Sequence, residues 1–451
     1  MGKLFGTDGI RGVANVYPMD AETAVAAGRA VAQFFRGETQ DRKPILIGQD
    51  TRRSGDMLAH AVSSGICSAG MDAALLGIVP TPAVAYLTRT VGAAAGIVIS
   101  ASHNPFADNG IKLFNSNGYK LSDEAEDQIE ALMTDVQAGG LIGLPSDQIG
   151  TVGFPESGLS AYIDFLKHAL PGLDLSGLNL VLDCANGATY EAAPLLFRQM
   201  GATVSPLFCD PDGININAQC GSQYPQILAE TVRSQHADMG LAFDGDGDRL
   251  IAVDESGSIL TGDQIIAVCA RHLQNRGQLK NNVVVTTVMS NMGLHQALKG
   301  MAIELVTSQV GDRHVMQAML ARDAVLGGED SGHIIFHDGH TTGDGLMAAL
   351  RLIAAVLAAG KPLSVLAGAM QVFPQELINV DVTSKPELDS VPQIVEAIGA
   401  VEKALAGEGR VLVRYSGTQN KCRVMVEGPT LEITRQYCRD IADVIRRCLA
   451  S

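Results

Sequence analysis

The chain has 451 residues, 49 of them acidic and 33 basic, for a formal charge of −16. A surface this acidic repels phosphodiester backbones and anionic lipid, which excludes general nucleic-acid and membrane-surface binding but leaves room for a small phosphorylated ligand held by a few local cations or a metal. With 46% hydrophobic residues and 49 glycines the composition is that of a packed α/β chain rather than a disordered one, and the length predicts roughly three domains.

From the N-terminus, Met1-Gly-Lys-Leu-Phe-Gly-Thr-Asp8 has no apolar core of signal-peptide length, and the best apolar run, Leu346 to Ala359, is interrupted by Arg351. The eight cysteines are scattered without a Cys-x-x-Cys pair, so reduced thiols in a cytoplasmic protein are expected, not a disulfide framework or a zinc site. A recurring pattern then runs along the chain: a short β-rich stretch, a polar loop, and a helical stretch. Pro44–Gly48 leads into Gln49–Ser54, Gly96–Ile99 into Ser100–Pro105, and Leu178–Leu182 into Asp183–Gly187. Gly240–Phe243 leads into Asp244–Asp248, and Val283–Thr287 into Met289–Gly293. Continuous apolar strands alternating with helices predict buried, largely parallel sheets, with ligands at the carboxyl ends of the strands where these loops fall. After Gly360-Lys-Pro362, the strands at Leu377–Val382, Val411–Arg414 and Arg423–Val426 and a helix from about Leu431 predict a smaller α+β unit. The expected fold is α/β, with three similar mixed α/β domains at 1–150, 151–255 and 256–370 and a C-terminal α+β domain at 371–451.

Asp244-Gly-Asp-Gly-Asp-Arg249 is the strongest local signal. Alternating Asp in an extended loop would place three carboxylates on one side, with Gly245 and Gly247 letting the backbone curl around an ion; unpaired, the three would repel, and oxygen-only ligands suit Mg²⁺. An EF-hand is excluded, because Arg249 stands where its glycine belongs and the flanks read as strands. Ser102, in Ser100-Ala-Ser-His-Asn-Pro105, is expected to stand exposed at the end of a buried strand. With His103 adjacent as a cationic base and Lys112 a loop away, its hydroxyl suits the acceptance and return of a phosphoryl group. Neither a Gly-x-Ser-x-Gly elbow nor a nucleotide phosphate loop is present. In Gly327-Gly-Glu-Asp-Ser-Gly-His333, an extended backbone would point Glu329 and Ser331 to one side, suiting vicinal sugar hydroxyls. The segment Arg414–Arg423 puts two arginines, two hydroxyls and a glycine in one hairpin loop, an anion cradle.

Taken in order from Phe5–Gly12 through Val98–Phe106, Asp108–Lys112, Asp183–Tyr190, Ile214–Asn217, Phe243–Arg249, Ser290–Gly293 and Val310–Arg313, these segments resemble the α-D-phosphohexomutase family over nearly the whole chain. The resemblance implies four domains around a central cleft: a phosphoserine-loop domain, a metal-binding domain, a sugar-binding domain and a C-terminal phosphate-binding domain. Ser102 would be the phosphoserine carrier, with one Mg²⁺ between it and Asp244, Asp246 and Asp248. Arg11, His103 and Lys112 would line the transfer site, and Arg249, Glu329, Ser331 and His333 would meet the sugar. Arg414, Ser416, Gly417, Thr418 and Arg423 would hold the phosphate that is not reacting. The implied reaction interconverts glucosamine 6-phosphate and glucosamine 1-phosphate through a bisphosphorylated sugar, on the route to UDP-N-acetylglucosamine, with a hexose or hexosamine 1,6-bisphosphate as activator. A homodimer is implied by the resemblance alone. Other sugars of the family, mannose or glucose phosphates, are the nearest alternative, and a non-catalytic sugar-phosphate binder is the other. Three segments depart from the family pattern: Gln419-Asn420 replaces Glu-Pro, Gln223-Tyr224 replaces Thr-His, and Asp330 stands where an amide is usual in the hexosamine branch. Loss of the proline frees the backbone at Asn420.

Overall fold

In the computed structural model the described residues are 4–6, 8–38, 43–137, 144–155, 158–416 and 420–450, and they form two compact units, one of residues up to 288 together with 304–367 and one of 289–303 together with 368–451. Three sheets lie in the first unit. The first sheet draws on β1 (Phe5–Gly6), β2 (Gly9–Val13), β3 (Ile45–Gln49), β4 (Ala73–Ile78), β5 (Ala95–Ile99), β6 (Asp108–Asn115) and β7 (Val152–Gly153), in the order β1-β2-β6-β5-β3-β4-β7. Its helices are α1 (Ala21–Glu38), α2 (Gly55–Ser68), α3 (Thr81–Thr90) and α4 (Asp123–Gln137). After α5 (Gly158–Ala169), the second sheet contains β8 (Asn179–Asp183), β9 (Thr203–Leu207), β10 (Met239–Phe243), β11 (Leu250–Asp254) and β12 (Ile259–Leu260), ordered β12-β11-β10-β8-β9, with α6 (Thr189–Gln199) and α7 (Gln226–Gln235). Following α8 (Gly262–Asn275), β13 (Val283–Thr287) is separated from β14 (Glu304–Ser308) by α9 (Met292–Gly300), which belongs to the second unit. β15 (Leu326–Gly328) and β16 (Ile334–Phe336) complete a third sheet, β14-β13-β15-β16, with α10 (Asp312–Arg322), α11 (Gly345–Ala359) and α12 (Leu363–Ala367). The second unit adds β17 (Gln375–Asp381), α13 (Pro392–Leu405), β18 (Arg410–Tyr415), β19 (Lys421–Glu427) and α14 (Leu431–Leu449), with an antiparallel sheet β17-β19-β18.

The apolar runs become strands buried on both faces: every residue of β5, β10 and β13 is buried. Parallel pairing dominates one side of each α/β sheet, through β5-β3-β4, β10-β8-β9 and β15-β13-β14. The other side is antiparallel, and the reason bears on function. The loops at Ser100–Ala107 and Asp244–Arg249 do not lead into helices, as the recurring pattern suggested, but into strands, as the flanks of the Asp loop indicated, and Glu329–His333 behaves alike. Each returns directly into an antiparallel neighbour, pairing β5 with β6, β10 with β11 and β15 with β16. β18 and β19 likewise pair antiparallel. A hairpin return anchors both ends of a loop in hydrogen-bonded strands, so the side chains it carries are held more firmly than at the mouth of a crossover. The connector expected at Gly139–Ser146 lies mostly outside the described residues. Among the described residues no helix is long and apolar enough to cross a membrane.

Candidate active site

Ser102 follows β5 in a left-handed backbone conformation, φ +52°, and is buried with 1% of its surface exposed, not standing free at the strand end. The Asp loop of the second sheet covers it: a Cβ on Gly245 would meet the Ser102 carbonyl oxygen at 2.5 Å. Gly245 is therefore required by the close approach of two loops, whereas Gly247, at φ +75°, is required by the turn itself. Ser102 Oγ donates to Asp244 Oδ2 at 2.6 Å and lies 3.3 Å from His103 Nδ1. Burial, then Arg249 and Arg11, hold His103 down to about 4, so its imidazole is neutral near pH 7 instead of the cationic base expected.

Asp244, Asp246 and Asp248 offer carboxylate oxygens that all lie within 4.8 Å of one another. They are not unpaired. Lys112, on β6, places Nζ 2.7 Å from Asp246 Oδ2 and 3.7 Å from Asp248 Oδ2, and Arg249 Nε stands 3.8 Å from Asp248 Oδ1. Thr81, at the start of α3, donates its hydroxyl to Asp246 Oδ2 at 2.7 Å. Lys112 and the Thr81 hydroxyl hold Asp246 below the usual carboxylate range against the opposing effect of burial. Asp244 moves the other way, pushed well up by burial and by Asp248 and Asp246. Asp246 Oδ1 and Asp248 Oδ1 are buried with no hydrogen-bond partner among the described residues. Orphaned oxygens, an all-oxygen donor set and a carboxylate destabilised by its own neighbours fit a hard divalent cation.

The sequence motifs did not mark the cations' other partners. Asp8, between β1 and β2, accepts from Arg11 and Lys120 and lies 3.2 Å from Lys112 Nζ; Lys120 is in turn paired with Asp312 at the start of α10. Burial raises the Asp8 carboxyl, but Lys112, Lys120 and Arg11 together hold it well below its usual range. His333 is buried with Nε2 3.9 Å from Asp248 and 3.8 Å from Asp312. Glu329 Oε1 accepts from the Gly311 backbone at 3.1 Å. The expected alternation of Glu329, Asp330 and Ser331 does not occur, because the segment is a tight turn closed by Gly332 N–H to the Glu329 carbonyl, with Gly332 at φ +90°. Ser331 sits exposed at its tip, and the Asp330 carbonyl accepts from Gly262 N–H.

In the second unit, Arg414 and Arg423 are not loop residues but a directly opposed cross-strand pair on β18 and β19. Burial and the neighbouring Arg423 lower the Arg414 guanidinium from its ordinary value, and Arg423 Nε is buried without a hydrogen-bond partner among the described residues. Two adjacent guanidinium groups of this kind are suited to gripping one anion. Ser416 is buried at the end of β18, and its backbone N–H donates to the Lys421 carbonyl. Gly417 and Thr418 lie outside the described residues.

Four family profiles cover the chain: phosphoglucomutase/phosphomannomutase alpha/beta/alpha domain I at residues 2–139, domain II at 160–257, domain III at 261–373 and the C-terminal domain at 377–444. The chain belongs to the phosphoglucomutase/phosphomannomutase family, built of three α/β/α domains and a C-terminal domain. Within that family it is similar to the phosphoglucosamine mutase of Syntrophus aciditrophicus, 57% identical over 447 residues and 99% of each chain. The phosphoglucosamine mutase of Syntrophobacter fumaroxidans is 54% identical over 450 residues and 100% of each chain. Among solved structures, a phosphoglucomutase/phosphomannomutase family protein of Burkholderia thailandensis has the same fold, with a TM-score of 0.81 at 23% identity, covering 99% of this chain and 97% of that one. The Aspergillus fumigatus N-acetylphosphoglucosamine mutase, solved with GlcNAc-6P and magnesium, gives a TM-score of 0.66 at 17% identity, covering 98% of this chain and 95% of that one.

Proposed function

We propose that this protein is an isomerase that interconverts glucosamine 6-phosphate and glucosamine 1-phosphate through phosphorylated Ser102 and a bisphosphorylated sugar. The observation that carries this reading is the buried Ser102 hydroxyl, 2.6 Å from Asp244 in a cluster of three carboxylates beside Lys112. The choice of hexosamine rests on the full-length similarity to phosphoglucosamine mutases.

Asp244, Asp246 and Asp248, with the Ser102 oxygen, would hold one Mg²⁺, which when bound supplies positive charge to the transferring phosphoryl group. The chain's own residues do the rest. Ser102 Oγ yields its phosphoryl group to a free sugar hydroxyl: the P–Oγ bond breaks, a new bond forms from phosphorus to the sugar oxygen, and the proton lost by that hydroxyl is balanced by one gained at Ser102 Oγ, which leaves as the free alcohol. In the return half-reaction Ser102 Oγ is the nucleophile, and neutral His103, 3.3 Å away, has a lone pair to receive its proton. Lys112 and Arg11 offset charge on the phosphoryl oxygens. Glu329, His333, Arg249 and Ser331 orient the sugar, and Arg414, Ser416, Gly417, Thr418 and Arg423 grip the idle phosphate. After the first transfer the bisphosphate turns over, and Ser102 takes back the other phosphoryl group. A hexose or hexosamine 1,6-bisphosphate primes Ser102. We assign these roles to four domains divided near residues 150, 255 and 370, and place the enzyme in the cytoplasm as a homodimer, the latter to be checked by light scattering.

Coupled assays with glucosamine, glucose and mannose phosphates test the reading against its alternatives. Glucosamine phosphates should turn over fastest, and Ser102→Ala should abolish turnover together with the mass increment of one phosphate. Chelation should stop the parent enzyme and magnesium restore it. Full activity in Ser102→Ala, or in Asp246→Asn without metal, would sink the assignment, and no turnover of any sugar would leave a binding protein.

A further inference from the structure

Building on the phosphoserine assignment, we infer that Arg52 and Asn217 are positioning residues: together they form a cage of hydrogen bonds around the backbone of the Ser102 loop, holding the serine in its left-handed conformation with Oγ aimed at the Asp cluster. Arg52 lies in the loop after β3 and is 2% exposed. Its guanidinium has five N–H groups, and all five are used. Nε donates to Asp50 Oδ2 at 2.8 Å, Nη1 to the carbonyls of Pro105 and Asp108, and Nη2 to the carbonyls of Ser102 at 2.9 Å and Asn104 at 2.8 Å. Asn217, from the second sheet's loops, duplicates the last two contacts: Nδ2 donates to Ser102 O at 2.9 Å and Asn104 O at 3.0 Å. Asp50 closes the cage on the other side, since it also accepts from the Ser100 hydroxyl, whose oxygen receives the Ser102 N–H at 2.9 Å.

The arrangement is more than the routine satisfaction of buried carbonyls. Four carbonyls spread over the whole loop converge on one planar group, which a lysine cannot reproduce. Two of them are shared with a residue from another sheet, so the loop is registered to the second sheet from which the Asp cluster projects. Ser102 needs such support because a non-glycine residue at positive φ is strained unless its surroundings over-determine it. The Arg52 charge is paired within the cage to Asp50, so its role is geometric, and the phosphoryl group meets its cations elsewhere.

The test uses full-length Asn217→Asp, Asn217→Ala and Arg52→Lys. Asn217→Asp keeps size and the tolerance for φ +58° but removes the donor. The expected result for Asn217→Asp and Asn217→Ala is a kcat lower by about 10- to 100-fold with KM for glucosamine 6-phosphate within about twofold, since an ångström of misplacement is worth about that much in rate. Amide hydrogen exchange at residues 102–104 should quicken by at least tenfold while the helices of the first unit exchange as in the parent. Arg52→Lys should do the same more severely; if it fails to fold, the Asn217 variants decide. Unchanged kcat and unchanged exchange in both Asn217 variants would overturn the inference, as would a rise in KM with kcat intact. Should the parent itself show no mutase turnover, the functional reading fails, while the exchange measurement still judges the cage.

Discussion

Lys112 is the cation on which the carboxylate cluster depends, and Lys112→Met measures that dependence by removing the charge while keeping the apolar stem. Nζ lies 2.7 Å from Asp246, 3.2 Å from Asp8 and 3.7 Å from Asp248, with 1% of the lysine side chain exposed. Breaking a buried ion pair from one side leaves an uncompensated charge and costs about 3–5 kcal/mol. At roughly 2 °C per kcal/mol for a unit this large, the variant should melt about 6–10 °C below the parent in chelator. The sign with pH is consistent. Burial pulls Lys112 down, but Asp246, Asp8 and Asp248 raise it above its ordinary value, so its contribution is complete below about pH 10 and lost only above that. A divalent cation that binds the folded cluster and not the unfolded chain would stabilise it by about 2.7 kcal/mol at a hundred times its Kd. Magnesium should therefore raise the melting temperature of Lys112→Met more than that of the parent, where the amine already offsets part of the charge. Circular dichroism is the suitable readout, because the chain has no tryptophan. If the variant melts within about 2 °C of the parent in chelator, or magnesium shifts both equally, Lys112 does not carry the compensation assigned to it.

Arg423→Ala should weaken glucosamine 1-phosphate and glucosamine 6-phosphate alike, by about 1.5–3 kcal/mol for a lost charged hydrogen bond, measured by calorimetry on the phosphorylated enzyme. A loss confined to one isomer would refute a cradle shared by both orientations. A pH prediction comes from His340 and Asp344, whose side chains are 3.6 Å apart. Burial holds His340 down to about 3 and pushes Asp344 up to about 7, so between pH 4 and 6.5 the folded pair keeps one proton on Asp344 while the unfolded chain keeps one on His340. The pair is thus nearly silent in the pH dependence of stability. His340→Gln removes the proton from the unfolded side only, so the folded state binds one more proton and stability falls as pH rises from 4 to 7, by about 3 kcal/mol. Melting temperatures at pH 4.5 and 7, taken as variant minus parent, check this; parallel profiles would refute it.

Much of the fold was legible because its signals are local. An apolar run of five residues such as Met239–Phe243 can only be satisfied when both faces are buried, and that predicts a central strand without knowledge of its partners. The path of the chain beyond each strand is less legible. The residues after Ile99 read as a loop leading to a helix, yet they return as the antiparallel strand β6; the flank after the Asp loop does read as a strand, but not as one that turns back to become the antiparallel neighbour β11. Leu250–Asp254 has the same continuous apolar character whether it pairs parallel or antiparallel, so pairing direction is decided by tertiary packing rather than by composition.

The site divides along the same line. Ser102, Lys112 and the three aspartates announce themselves by residue type within short motifs, but their states depend on partners far away in the chain. Thr81 reaches Asp246 across 165 positions and Lys120 reaches Asp312 across 192, and neither pairing leaves a mark in the local sequence. His103 is held neutral first by burial and then by Arg249 and Arg11 folded against it, which its place beside Ser102 does not reveal. The metal site depends on both kinds of signal. From sequence, three carboxylates in five residues demand a cation outright; the structure brings in Lys112, which meets part of that demand. Counting the whole network, five carboxylates (Asp244, Asp246, Asp248, Asp8 and Asp312) face four cations (Lys112, Arg249, Arg11 and Lys120), so it stays formally negative by one. The two oxygens of Asp246 and Asp248 without hydrogen-bond partners among the described residues are where a cation would find free ligands. The lysine thus offsets part of the triad's charge while leaving carboxylate oxygens that suit a hard divalent cation.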